Sequence, residues 1–352
     1  MDAHHSGVRI ENRMMTDTTK PRLPLARRRL LGGGATALAA AALPLAKGRA
    51  AGFPERPVRL LVGYTPGGQT DIFARGLAER LGAELGQPVV IENRPGAGSS
   101  VAVSEVARAR PDGYTLMFIN PSGFAIHPQV AARPSYDPLK DLAPIAMVAN
   151  TPVTVVAGPG FTGGDVRGLI AQARANPGAL AYGSAGAGTV TQLGMELFLQ
   201  KAGGLQLVHV PYRGAALVAQ DLLAGRIPLM VDAFATMVEQ HRSGTVRMLC
   251  VLAQERVAAA PDVPTAIESG VPDAIADVYN AVVAPAATPA PAIETLSAAI
   301  RRVTASDSYR AFLANYGAAA GGQMTAAELT TYLHNDFRRW TPVIRATGLR
   351  IE

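Results

Sequence analysis

From Phe53 onward, short apolar runs alternate with longer amphipathic ones. The strand-like runs are VRLLV (58–62), PVVIE (88–92), YTLMFI (114–119), PIAMVA (144–149), VTVVA (153–157), LAYGS (180–184), LQLVHV (205–210), IPLMVD (227–232) and VRMLCVL (246–252). Between many of them lie helical patterns. Phe73, Leu77, Leu81 and Leu85 recur at a spacing of four and share one face, with Arg75, Glu79, Arg80 and Glu84 elsewhere. The segments 165–175 and 190–202 repeat that pattern, and C-terminal helices are expected at 292–303, 305–316 and 325–346. Such alternation predicts an α/β fold with a mainly parallel sheet covered by helices.

Two places read as crossings between domains. One is residues 149–157, an apolar strand pair broken at Pro152; the other is residues 279–291, where an apolar run ends in repeated Pro and Ala. A chain that crosses twice builds one domain from both ends and one from the middle. The expected division is 52–152 with 280–352, and 153–279.

Two strand-to-helix corners carry the candidate chemistry. The first is YTPGGQTD, residues 64–71; the second lies in AYGSAGAGTVTQLG, residues 181–194. Thr189-x-x-Gln192 is a capping-box pattern, and Gly68 is a candidate cap with Asp71 at the third helical position. Each corner leaves a helix N-terminus and several N–H groups available to an anion. Glycine there permits positive φ and a close approach of backbone to ligand. A carboxylate is then held by amides, hydroxyls and dipoles without a cationic side chain.

Other motifs fail on spacing. Neither loop has the lysine of a phosphate-binding loop. The second runs Gly183-x-x-Gly186-x-Gly188, not the dinucleotide fingerprint, and Tyr182 stands where a nucleophile elbow needs glycine. The six histidines show no metal-binding spacing, and His209 in VHVPY reads as a core or edge histidine. Asp232 ends the strand IPLMV, where ligand-facing residues sit in open α/β sheets; it equally suits a helix cap. Cys250 is the single cysteine, which excludes an intrachain disulfide, and its apolar run reads as buried.

Charge points to export, not to nucleic acid. Residues 1–51 hold nine Lys/Arg against three Asp/Glu, which accounts for the whole net +6; the rest holds 24 of each sign. Arg27, Arg28 and Arg29 precede an Ala- and Gly-rich apolar run, and small residues allow cleavage after Ala50 or Ala51. The pattern fits a twin-arginine signal, though a plain secretory signal tolerates the same basic start. Beyond the leader no run of about 18 apolar residues occurs. A soluble periplasmic protein is therefore expected.

The body resembles the substrate-binding proteins of tripartite tricarboxylate transporters, the Bug family. The resemblance rests on FPERPVRLLVGYTPGGQTD, LGQPVVIENRPGAGS, ARARPDGYTLMF, NPGALAYGSAGAGT, LVHVPYRGAALVAQDLLAGRIPLMVD and APDVPTAIESGVPD, in that order from Phe53. It implies a type II periplasmic binding fold: two α/β domains, two crossings and a ligand cleft. It implies a receptor, not an enzyme, that takes a small carboxylate such as a di- or tricarboxylate, an acidic amino acid or an aromatic acid. The partners implied are that ligand and the membrane subunits of the transporter. No nucleic acid, cofactor or metal is expected, and the chain is expected to act as a monomer.

By the same resemblance, Tyr64, Pro66, Gly67, Gly68, Gln69, Thr70 and Asp71 grip one ligand carboxylate together with Ser184, Ala185, Gly186, Ala187, Gly188 and Thr189. The loop Asn120-Pro121-Ser122-Gly123 faces the far end of the ligand, and Asp232 and Tyr279 border the cleft. The sequence departs from the family pattern at His127, at Tyr279–Ala281, at Ala287 and at Ala233 after Asp232, so ligand identity does not carry over. Two other readings stay open: an exported hydrolase using Ser184 with His209, and a receptor that signals to a membrane kinase.

Overall fold

The computed structural model describes residues 52–352; the expected leader and its cleavage site lie outside them. Among the described residues ten strands are present: β1 (Val58–Val62), β2 (Val89–Asn93), β3 (Thr115–Ile119), β4 (Leu142–Ala157), β5 (Ala181–Ser184), β6 (Val208–Pro211), β7 (Leu229–Ala233), β8 (Arg247–Val251), β9 (Asp277–Pro285) and β10 (Ala319–Ala320). Their order is β2-β1-β3-β9-β4-β7-β5-β6, with β8 and β10 also on β4. β1 runs parallel to β2 and β3, and β5 runs parallel to β6 and β7. The junction is antiparallel: β9 against β3 and β4, and β7 and β8 against β4.

The two runs 144–149 and 153–157 are one strand of 16 residues, not a broken pair. From Leu142 to Pro152 it pairs with β9; from Val153 to Ala157 it pairs with β7. Pro152 sits at that change of partners, where its missing N–H interrupts neither ladder. The apolar run 279–285, read as a crossing, lies within the nine-residue β9. β4 thus carries the chain between two sets of partners.

Each set has its own core. Leu60, Phe73, Leu77, Phe118 and Ile300 pack around β1 and β3. Tyr182, Leu193, Phe198 and Leu229 pack around β5 and β7. The C-terminal helix (Ala326–Thr347) starts at a full capping box, Thr325 with Glu328. It was expected to belong wholly to the first domain, but it packs on residues of both sets, in a third cluster at one end and in the β5 and β7 core at the other. Leu329 and Leu333 pack beside Met117 and Tyr279, while Trp340 and Ile344 pack beside Leu193 and Leu249. At a rise of about 1.5 Å per residue, 22 residues are long enough to reach both.

Candidate functional site

The first corner is built as its residues dictate. Gly67 adopts φ +94° and Gly68 caps the helix Gln69–Leu85. The first intrahelical bond runs from Ile72 N–H to Gly68 O at 3.0 Å. The amides of Gly68, Gln69 and Thr70 precede it, so the helix itself offers them no acceptor. Asp71 lies beneath the turn. Its carboxylate accepts from the Gly67 amide at 3.1 Å, from Arg75 at 2.9 Å and from Asn93 at 2.9 Å. Burial pushes the Asp71 carboxyl up, but Arg75, Asn93 and the Gly67 amide outweigh it and hold the group below its ordinary value. Asp71 therefore organises the loop, and Arg75 is held on Asp71 instead of reaching the site.

The second corner uses most of its donors internally. Thr189 caps the helix Val190–Lys201 by accepting from Gln192 N–H at 3.3 Å. Gln192 Oε1 reaches back to the Gly188 amide at 2.8 Å. Gly186 N–H donates to Ser184 Oγ at 3.2 Å, and Val190 N–H to Ser122 Oγ at 3.0 Å. The expectation that this loop aims its amides at a ligand is thus corrected for Gly186 and Gly188, and the Val190 amide is taken as well. The Ser184 and Ser122 hydroxyls and the Gln192 side-chain carbonyl capture these N–H groups first. The corner's hydroxyls are partly engaged as well: Thr189 Oγ1 donates to the Gly186 carbonyl at 2.7 Å, and Thr191 Oγ1, 2.9 Å from it, accepts from the Ala185 amide at 3.4 Å, which leaves the Thr191 O–H as the hydroxyl that can turn to a ligand.

A third helix start, absent from the sequence reading, completes the arrangement. Gly214 (φ +128°) precedes the helix Ala215–Leu223. It faces the first corner closely. A β-carbon placed on Gly68 would lie 3.4 Å from that of Ala215, and one on Gly67 would lie 3.8 Å from that of Ala216.

Between these starts lies a small cavity of about 30 Å³. Of the expected residues, Tyr64, Gly68, Gln69, Thr70, Asn120, Ser122, Ala185, Thr189 and Asp232 line it. Val190, Thr191, Ala215, Ala233 and Val278 line it too and were not anticipated. None of these fourteen residues is Lys, Arg or His. Tyr64 O–H donates to Asn120 Oδ1 at 3.3 Å, and Asn120 Nδ2 donates to Thr70 Oγ1 at 3.4 Å. Burial raises the Tyr64 phenol above its ordinary value, and the nearby Asp232 adds to the effect. Gln69 Nε2 donates to Asn280 Oδ1 at 3.0 Å.

The remaining expected residues lie elsewhere. Pro66, Gly67, Asp71, Ser184 and Gly188 shape the loops without lining the cavity. Gly186 and Ala187 line a neighbouring cavity of about 130 Å³, shared with Tyr64, Ala185, Arg213 and Ile351. Tyr279 does not border the cavity. It is fully buried, stacked edge-on against Tyr332 at 5.6 Å. Alternation along β9 explains this: Val278 lines the cavity and Asn280 holds Gln69, so Tyr279 falls on the opposite face.

Ser184 and His209 do meet, at 2.7 Å. Ser184 is fully buried, and its Oγ also serves Gly186. Burial pushes the His209 imidazole down to about 4, and its ring stacks on Tyr182. A nucleophile needs an open approach, so the pair reads as a fastener of the second loop.

A family model described as "Tripartite tricarboxylate transporter family receptor" matches residues 73–349. Protein BugT of Bordetella pertussis (strain Tohama I) is 33% identical over 305 residues, covering 85% of this chain and 92% of BugT. Among solved structures, R. palustris Rpa4515 with adipate superposes with a TM-score of 0.82 at 32% identity, over 85% of this chain and 99% of that one. MatC from Rhodopseudomonas palustris with bound malate gives 0.79 at 30% identity, over 83% and 100%. The periplasmic binding protein BugD gives 0.81 at 30%, over 85% and 100%. The fold is the type II periplasmic binding fold that the resemblance implied. The chain belongs to the tripartite tricarboxylate transporter receptor family.

Proposed function

We propose that the protein is a periplasmic receptor that takes a small carboxylate into this cavity and delivers it to the membrane subunits of a tripartite tricarboxylate transporter. One observation carries the reading: Gly68, Gln69 and Thr70, whose amides their helix leaves without an acceptor, and Thr191 line a cavity that has no basic lining residue. Charge-assisted hydrogen bonds to a carboxylate contribute about 1.5–3 kcal/mol each, so a few suffice without a cation. The adipate and malate bound by the two R. palustris relatives are of this class. The two domains, 52–152 with 280–352 and 153–279, share the C-terminal helix and close on the ligand by bending where β4 and β9 pass between them. Titration calorimetry over di- and tricarboxylates, amino acids and aromatic acids tests the reading. Saturable binding of an acid is the expected result. Binding of a neutral sugar or an amine, with no response to any acid, would overturn it.

A further inference from the structure

The cavity holds one group that a plain carboxylate ligand leaves unserved. Asp232 lies on β7, which pairs with β4, and is only 5% exposed. Its Oδ1 accepts from the Ala233 amide at 2.7 Å, while its Oδ2 has no partner. Such a buried acceptor costs stability unless something donates to it.

The surroundings offer little. Tyr64 directs its O–H to Asn120. Thr154, opposite Asp232 across the ladder, donates to the Cys250 carbonyl at 2.8 Å. No cation is among the lining residues. Gln69 Oε1, at the helix start itself, is likewise buried without a partner, and Asn280 Nδ2 beside Gln69 is a buried donor without an acceptor. A site that receives an anion at its helix starts thus also presents a bare carboxylate oxygen on β7.

We propose, building on the carboxylate reading above, that Asp232 Oδ2 accepts a hydrogen bond from a donor carried by the ligand. The receptor's solutes are then acids that also bear a hydroxyl or an ammonium group, such as hydroxy acids or amino acids. The amides and threonines take the carboxylate, and Asp232 selects the donor. A ligand without the donor either sets two negative groups against each other in a poorly solvated space or binds with Asp232 protonated, a form that becomes costlier as pH rises above about 7. Burial raises the Asp232 carboxyl to about 7, consistent with a group that lacks its partner.

Matched acids of equal length test this. Titration calorimetry at pH 7.5 compares succinate, malate and aspartate, then glutarate, 2-hydroxyglutarate and glutamate, against the wild type and Asp232→Ala. Wild-type protein should bind the donor-bearing member of a series at least tenfold more tightly than the plain acid. The hydroxyl and ammonium arms show which donor is read. Asp232→Ala should bring the pair within about twofold. Equal wild-type affinities, or a preference that survives in Asp232→Ala, overturn the assignment while leaving the carboxylate reading intact. Absence of binding by every acid overturns both. Should the alanine variant fold poorly, Asp232→Asn, which replaces one carboxylate oxygen with a donor group, carries the same comparison, and a wild-type preference that survives in it overturns the assignment.

Discussion

Two buried aspartates mark how differently one residue type behaves under different partners. Asp71 receives three donors and stays ionised below its ordinary value. Asp232 receives one, and burial raises it to about 7. The consequence for stability follows from proton counting. Between pH 3.8 and about 7 the folded chain holds a proton on Asp232 that the unfolded chain has released, so stability falls as pH rises through that window. His209 acts oppositely. Its folded value, about 4, lies below its ordinary 6.5, so over that range the unfolded chain binds the extra proton and stability rises with pH. The two slopes offset each other from about 4 to 6.5. Asp232→Asn removes one of them. The variant is expected to match wild type near pH 4, to gain steadily on it as pH rises, and to exceed it above pH 7 by at most roughly 4 kcal/mol. Urea titrations at a series of pH values check this; a constant difference between the two proteins would contradict it. Asp71 was legible from its place at the third position of a helix. Asp232 was legible only as the end of a strand, because what donates to it is decided by residues far away in the chain.

At the level of elements, the helix starts announced themselves and their use of hydrogen bonds did not. Glycine and threonine before an amphipathic run marked both corners. Thr189 captured the Gln192 amide as its capping-box spacing predicts, but which N–H a loop hydroxyl captures otherwise depends on torsions, and Ser184 and Ser122 took donors that the sequence reading left open. The phase of β9 was hidden for a similar reason: an apolar run such as YNAVVAP does not say which face meets a cavity, and Val278 took the place expected of Tyr279. The start of the helix at Ala215 lacked a capping side chain and so gave no signal. Gly188 shows how tightly the second corner is built. It adopts φ +68°, and a β-carbon there would lie 2.5 Å from Ile351 Cδ1 and 3.1 Å from Val130 Cγ2. Ile351 is also tied to the segment after Val130, accepting from Ala132 N–H at 2.8 Å. Gly188→Ala therefore meets both a torsional cost of about 1–2 kcal/mol and a displaced C-terminal strap. Expected outcomes are a loss of roughly 2–3 kcal/mol in chemical denaturation and faster hydrogen exchange at Val130–Ala132. Wild-type stability in this variant would show that the corner tolerates rearrangement.

At the scale of the molecule, the lobes are joined by elements that pass between them, and the cavity exists because the lobes touch. β4 changes partners at Pro152, and the C-terminal helix places Leu333 in one core and Trp340 in another. In the proposed closure, opening bends a strand and tilts a helix that are both anchored at two ends. In that proposed closure, Gly67 and Gly68 meet Ala215 and Ala216. A single β-carbon on either glycine would already reach van der Waals distance of the facing alanine, 3.8 Å and 3.4 Å, so a much larger side chain at this seam separates the two corners. Ala216 is partly exposed at the start of its helix, so a bulky residue at that position is accommodated in the open form and obstructs the closed one. Apparent affinity scales with the fraction of molecules able to close. If Ala216→Trp lowers that fraction to about 1%, acid binding weakens about a hundredfold while thermal stability without ligand stays within about 1 kcal/mol of wild type. Small-angle scattering gives the independent readout. Wild-type protein should contract when a bound acid is added, and the variant should not contract at subsaturating acid. Undiminished affinity in Ala216→Trp would mean that the solute is held without the two corners meeting.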